Sequence, residues 1–233
     1  MIEKHKNVLS DFYLADLYDY ISGPMFRWSH FGETASGYNG NYAWVEDENT
    51  EEIDLFTGHA SKDSGPVSYE PLIYTISNIV GYKIEIERIK TNLLLPNINT
   101  RKNSYNRPHV DYPENGMKTF LLYLNDSDGD TFLFDKIYNG QDPGRLQVID
   151  RVTPNKNSAI LFDSNRYHAS STPTTNKRFV INIVFWEPKI KQKYLEEQQK
   201  RLEVPFDPLP ESFSGNYHIK TFFQKNERYN RNR

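Results

Sequence analysis

The sequence predicts a mainly β protein: eight short antiparallel strands folded as a jelly roll, or double-stranded β-helix, of cupin-like architecture, with packing α-helices on the N-terminal side. Three observations carry this. Between residues 82 and 187 the chain breaks into eight runs rich in β-branched and aromatic residues, each bounded by turn formers such as Asn139-Gly140 and Pro143-Gly144. Two amphipathic helical stretches precede these runs. The composition suits many short connections, with 12 Gly and 13 Pro beside 16 Tyr and 14 Phe.

In the first helical stretch, 8–21, Leu14, Leu17, Tyr18 and Ile21 recur at helical spacing behind Ser10 or Asp11 as N-cap, and Gly23-Pro24 ends it. Phe26-Arg27-Trp28 is expected to enter an edge strand. From His30 to Asp63 the text is Gly- and Tyr-rich, then acidic, with Glu46, Asp47, Glu48, Glu51, Glu52 and Asp54. That segment reads as a solvated loop, or else as an acidic rim meeting a basic substrate. Ser68 opens a second helix, with Pro71 in its first turn, Leu72, Ile73, Ile76, Ile79 and Val80 as its buried stripe, and Gly81 as its stop. The eight strands are expected at 82–95, 107–112, 117–124, 130–135, 145–152, 158–163, 166–171 and 177–187. Past Pro188, residues 189–203 form a highly charged helical stretch, and Pro205, Pro208 and Pro210 forbid regular structure after it. The expected organisation is a single domain over 1–188, with its jelly-roll core at about 82–187, and a charged, Pro-containing extension over 189–233.

The 233 residues suffice for one well-packed core. A net charge of −3 and a pI near 6.1 provide no global basic field, which argues against a nucleic-acid partner. No apolar run reaches the length of a membrane span, and the first twenty residues, with Glu3, Asp11, Asp16 and Asp19, do not read as a signal peptide. A soluble, cytoplasmic protein is expected. With no cysteine, any metal must be held by His and carboxylate.

His109-Val110-Asp111 supplies such a pair. Side chains at i and i+2 of an extended strand share a face, so the imidazole and the carboxylate aim at one point while Val110 turns away. His168, on a later strand, offers a third ligand. Two His and one carboxylate on one side of a metal leave the other side open, the arrangement of non-heme Fe(II) oxygenases. Arg178 opens the last strand with Val180, Asn182 and Val184 on its face and Phe179, Ile181, Ile183 and Phe185 on the other. An arginine on an inner face needs a partner. That partner is either a ligand carboxylate, such as the distal one of 2-oxoglutarate, or a structural Asp or Glu.

In order, His109-Val110-Asp111, the segments 119–125 and 129–134, Ile160-Leu161-Phe162, His168 and Arg178 resemble the core of the Fe(II)/2-oxoglutarate-dependent dioxygenases, particularly the prolyl-hydroxylase-type (prolyl 4-hydroxylase alpha-subunit-like) branch. The resemblance covers about residues 82–187. It implies His109, Asp111 and His168 as metal ligands and Arg178 as the partner of the distal carboxylate of 2-oxoglutarate. Tyr123 would hydrogen-bond that carboxylate, Thr131 would line the co-substrate pocket and Asn182 its oxygen side. No catalytic group beyond the metal ligands is implied. The cofactors implied are Fe(II), 2-oxoglutarate as co-substrate and dioxygen, with ascorbate as an optional reductant.

The reaction implied is hydroxylation of an aliphatic C–H bond with release of succinate and CO2. A peptidyl or protein side chain, proline first, is the leading substrate, and a free amino acid or small metabolite comes next. The segments 30–63 and 97–105 are the expected walls of the entrance. The sequence departs from the prolyl-hydroxylase pattern upstream of His109, where 91–97 and 104–107 lack the usual tyrosine and glycine. Val184 stands where the DNA-dealkylating branch has a second arginine, and Asp111 excludes the halogenating pattern. A non-catalytic jelly-roll module for metal binding or interaction is the rival reading. Nothing in the sequence indicates an oligomeric state.

Overall fold

The computed structural model describes residues 2–32, 42–51, 55–60, 66–101 and 103–202. Among them the elements run β1 (Ile2–Lys6), α1 (Asp11–Ser22), β2 (Ser29–Phe31), β3 (Tyr42–Trp44), β4 (Leu55–Ala60), α2 (Glu70–Val80), β5 (Glu85–Leu94), β6 (His109–Val110), β7 (Met117–Tyr123), β8 (Thr131–Ile137), β9 (Val148–Val152), β10 (Ser158–Asp163), β11 (Arg166–Ser170), β12 (Arg178–Trp186) and α3 (Pro188–Leu202). The strands form a seven-stranded sheet, β1-β10-β7-β12-β5-β4-β2, and a five-stranded sheet, β3-β6-β11-β8-β9. All the ladders between these strands are antiparallel. From β5 onward the chain passes back and forth between the sheets, so that β5, β7, β10 and β12 lie in the larger and β6, β8, β9 and β11 in the smaller. The described residues up to Tyr194 form one compact unit.

Each of the eight expected segments holds one of β5 to β12, with β8 running on to Ile137, two residues past its expected end. The four strands before them correct the sequence reading. The edge strand expected at Phe26 forms as β2, three residues later, and pairs with β4. The stretch 30–63, read as loop, supplies β3 and β4, and β4 is bound along its length to β5. A three-residue strand and one interrupted by Gly58 are too short for alternation to show. β1 alternates around a single apolar residue, Ile2, and is held by the edge of β10.

The acids of that stretch are also more engaged than either reading proposed. Glu46 pairs with Arg107, the Tyr105 hydroxyl donates to Asp47 at 2.6 Å, and Glu51 accepts from Arg101 at 2.8 Å and Ser104 at 2.6 Å. They fasten this segment to the linker before β6. Glu52 and Asp54 lie outside the described residues.

Helix α1 is capped by Ser10, whose hydroxyl accepts from the Tyr13 amide, and α2 ends at Gly81 in the left-handed conformation, φ +79°. Leu14, Leu17 and Ile21 of α1 and Leu72 and Ile76 of α2 pack on the outer face of the larger sheet, against Ile84, Ile89, Phe120, Leu122, Phe179, Ile181, Ile183 and Phe185. The inner face is a smaller core of Leu121, Tyr123, Leu133, Ile160, Phe162 and Val180. A bulge in β5 sets which residues join which face. Val184 pairs with Arg88 but Phe185 with Ile86, so Glu87 is an extra residue. Ile84 and Ile86 therefore share the outer face with Ile89 and Leu93, and Arg88, Lys90 and Asn92 turn inward. Among the described residues no helix is long and apolar enough to cross a membrane. Pro205, Pro208 and Pro210 lie outside the described residues.

Candidate metal centre

His109 of β6 lies directly opposite His168 of β11, their ring centroids 4.5 Å apart. Asp111 follows β6 by one residue. All three side chains are buried, and one nitrogen or oxygen from each lies within 4.8 Å of the others. Nδ1 of His109 is 2.9 Å from the carbonyl oxygen of Arg107, and Nδ1 of His168 is 3.1 Å from that of Arg166. A carbonyl only accepts, so each Nδ1 carries the proton and each Nε2 presents its lone pair to the space shared with Asp111. This N,N,O donor set suits Fe(II).

The electrostatics keep the three groups in their ligating states. Burial, with His168 alongside, pushes His109 down to about 3, and burial lowers His168 as well. Both rings are therefore neutral near neutral pH. Burial would raise Asp111, but Arg88 first, then His168 and Lys90, outweigh it and hold the carboxyl well below the usual carboxylate range.

Three neighbours hold the Asp111 carboxylate. Arg88 Nη2 reaches Oδ1 at 2.6 Å, Asn182 Nδ2 donates to both oxygens at 3.0 Å, and Thr119 Oγ1 donates to Oδ2 at 2.9 Å with Ser164 Oγ 3.0 Å behind it. Oδ2 is also the oxygen that faces His168 Nε2, at 3.6 Å. Asn182, expected on the oxygen side of the co-substrate pocket, thus has its amide on Asp111. Arg88, and beside it the buried Lys90, escaped the sequence reading. Burial and then the Arg88 charge push Lys90 down to about 7, against the pull of Asp111. The signal was the alternation Arg88, Lys90, Asn92 along one strand.

At the other end of the inner face Arg178 is 4% exposed. Its Nη2 donates to Thr131 Oγ1 at 2.7 Å, its Cζ stands 5.7 Å from the centre of the Tyr123 ring, and the Tyr123 hydroxyl donates to the same Thr131 oxygen at 2.8 Å. Arg178, Tyr123 and Thr131, singled out from the sequence, are thus one cluster. Nε of Arg178 has no hydrogen-bond partner, and among the described residues no carboxylate forms an ion pair with this guanidinium. Gly129 makes the approach possible, since a Cβ there would lie 2.9 Å from the Ser171 carbonyl oxygen and 3.1 Å from Arg178 Cδ.

Residues 97–186 match the family model of the 2OG-Fe(II) oxygenase superfamily. A search of curated proteins finds no match. Among solved structures, an oxidoreductase of the 2OG-Fe(II) oxygenase family from Burkholderia pseudomallei is similar, with a TM-score of 0.53, 14% identity, and 79% of this chain and 84% of that one covered. The non-heme alpha-ketoglutarate-dependent epimerase SnoN of nogalamycin biosynthesis has a TM-score of 0.56 at 11% identity, covering 80% and 78%. Another SnoN structure holds Fe3+, alpha-ketoglutarate and nogalamycin RO, and matches with a TM-score of 0.53 at 13% identity, covering 80% and 78%. These likenesses are of fold. The family match covers residues 97–186, and the buried His-Asp-His set within it suits Fe(II). The protein is a 2-oxoglutarate-dependent dioxygenase with Fe(II) as its metal, which removes the non-catalytic reading.

Proposed function

We propose that this dioxygenase hydroxylates an aliphatic C–H bond, with His109, Asp111 and His168 as the Fe(II) ligands and Arg178 as the anchor of the distal carboxylate of 2-oxoglutarate. The observation that carries the reading is the buried Arg178, which among the described residues forms no ion pair with a carboxylate and has an unfilled Nε. A buried guanidinium without an anion is costly, and a bidentate carboxylate would relieve it. Thr131 receives hydrogen bonds from both Arg178 and Tyr123, which leaves its own hydroxyl hydrogen for the co-substrate. Bound iron supplies the reduction of dioxygen coupled to decarboxylation of 2-oxoglutarate to succinate and CO2. The residues of the chain hold the ligands neutral or ionised as required, orient the co-substrate by its far end and exclude water from the interior.

The alternation of β5 to β12 between two antiparallel sheets supports a double-stranded β-helix, within a single domain over 1–188. A peptidyl side chain such as proline is the substrate that the residue series suggests. A free amino acid or small metabolite is a second reading. The test is anaerobic addition of Fe(II) and 2-oxoglutarate. A visible charge-transfer band lost in His109→Ala and Asp111→Ala supports the assignment, and no band at saturating ligand rejects it. Succinate release screened over peptides, amino acids and nucleic acids then identifies the substrate class.

A further inference from the structure

We propose that Arg151 of β9 sets the affinity of the co-substrate pocket from outside it, as a positioning residue that neutralises Asp130 and so leaves Arg178 to the distal carboxylate of 2-oxoglutarate. The inference deepens the reading above and rests on its assignment of Arg178.

Asp130 stands one residue before β8 and is 3% exposed. The next residue, Thr131, accepts from both Arg178, at 2.7 Å, and Tyr123, at 2.8 Å. The backbone of Asp130 is fixed at this point, since its amide donates to Ser171 Oγ and its carbonyl oxygen accepts from the Ser171 amide, each at 2.8 Å. Its side chain turns to Arg151: Oδ2 takes Nε of that arginine, while Oδ1 is buried and makes no hydrogen bond. Among the described residues Asp130 forms its ion pair with Arg151 and none with Arg178.

Arg151 is held on the far side of β8. It lies opposite Phe132, a residue of the core on the other face of the smaller sheet, with Cζ 5.1 Å from the centre of that ring. Its Nη1 donates to Asn103 Oδ1 at 2.9 Å. Successive strand residues turn to opposite faces, so β8 gives Thr131 to Arg178 inside and Phe132 to Arg151 outside, with Asp130 at the junction. The contacts of Arg151 include none of the metal ligands and not Arg178.

Charge decides what this arrangement does. Burial lowers Arg178, and Tyr123 and then Asp130 oppose it, so the Asp130 charge is felt at the co-substrate anchor. Left alone, that carboxylate would act as a resident counter-ion for the guanidinium and repel an incoming one. Paired with Arg151 it presents a dipole, whose field fades faster with distance than that of a single charge. The charge of Arg178 then remains for the ligand.

The experiment is anaerobic calorimetric titration of the Fe(II)-loaded protein with 2-oxoglutarate in a series at position 151. The charge-transfer band of the wild type is recorded first. No band rejects the functional reading and this inference with it, whereas a band with a flat series rejects this inference alone. Lys and Gln can each donate a hydrogen bond to Asp130, but only Lys neutralises it. Arg151→Lys should therefore bind within about twofold of wild type and Arg151→Gln about 3–30-fold more weakly, the scale on which residues remote from a ligand tune its affinity. Fe(II) affinity should be unchanged in both. Asp130→Asn should bind 2-oxoglutarate as tightly as wild type or tighter, and should restore binding when combined with Arg151→Gln. Circular dichroism confirms folding, and either arm decides if a variant of the other does not fold. Three results overturn the proposal: Arg151→Lys and Arg151→Gln alike; weaker binding in Asp130→Asn, the mark of a merely structural pair; or Fe(II) affinity lost together with 2-oxoglutarate in Arg151→Gln.

Discussion

Arg88 and Asp111 meet across the interior, Nη2 to Oδ1 at 2.6 Å, with the arginine side chain 10% and the aspartate 0% exposed. The pair links β5 to the ligand that follows β6. Removing one partner of a buried pair leaves the other uncompensated, at a cost of about 3–5 kcal/mol. Arg88→Met should therefore destabilise the protein by that order in urea melts. It should also weaken Fe(II) binding about 10–100-fold, the usual effect of losing a residue that orients a metal ligand. Iron affinity unchanged in a folded Arg88→Met would show that Asn182 and Thr119 orient Asp111 unaided.

Arg178→Ala should weaken 2-oxoglutarate by at least about a hundredfold, since it removes a paired charged contact, while Fe(II) affinity stays within about twofold. Lys at this position should recover little, because an ammonium lacks the planar fork. Anaerobic titrations followed by the charge-transfer band separate the two affinities. Equal loss of both would count against the division of roles.

Gly129→Ala tests how tightly Arg178 is seated. The added methyl would meet the Ser171 carbonyl oxygen, Arg178 Cδ and Pro173 Cδ at 2.9–3.1 Å. A backbone carbonyl yields little, so the side chain of Arg178 should move. We expect a loss of about 1–3 kcal/mol in stability, the range for overpacking, together with a higher KM for 2-oxoglutarate and a smaller change in kcat. A KM equal to wild type would mean that the guanidinium is held from its far end alone.

The metal-free protein should lose stability as pH falls from about 6.5 toward 3. His109 is pushed down to about 3 when folded and returns to its ordinary value, near 6.5, when unfolded. Between those values the unfolded chain binds more protons, so stability is full above the window and declines through it. His168 acts in the same direction, and Asp111, held below its ordinary value, adds a further loss at the acid end. Tm of the metal-free protein against pH measures this. A flat profile between about pH 7 and 5 would contradict the neutral, buried state of these rings.

The residues whose chemistry is unusual in a strand were the legible ones. His109 and Asp111 stand out because an i, i+2 pair of ligands is rare in a buried segment, and Arg178 because it interrupts an otherwise apolar run. Asp111 was visible but its retinue was not, since Thr119 and Asn182 look like ordinary strand residues until the pairing of β7 with β12, with Thr119 opposite Val184 and Asn182 opposite Leu121, brings both to one carboxylate. The acidic run from Glu46 was ambiguous for a different reason. Its partners Arg101, Ser104, Tyr105 and Arg107 lie at least 50 residues away, and charge composition alone does not tell a solvated acid from a paired one. β1, β3 and β4 were missed because their pairing comes from neighbouring strands and their own pattern is too short to declare it.

The extra residue at Glu87 gives β5 two phases. Ahead of it the aliphatic positions are even-numbered, Ile84 and Ile86; beyond it they are odd-numbered, Ile89 and Leu93. A β5 that kept Glu87 but paired it regularly, still anchored at Glu85, would present Ile89, Thr91 and Leu93 to the interior and press Arg88, Lys90 and Asn92 against the helices. The polarity of the reaction chamber thus depends on that single bulge: flattening it would change what the enzyme can admit without altering any residue that touches the metal, whereas deleting Glu87 would leave Arg88 opposite Val184 and the inward set unchanged.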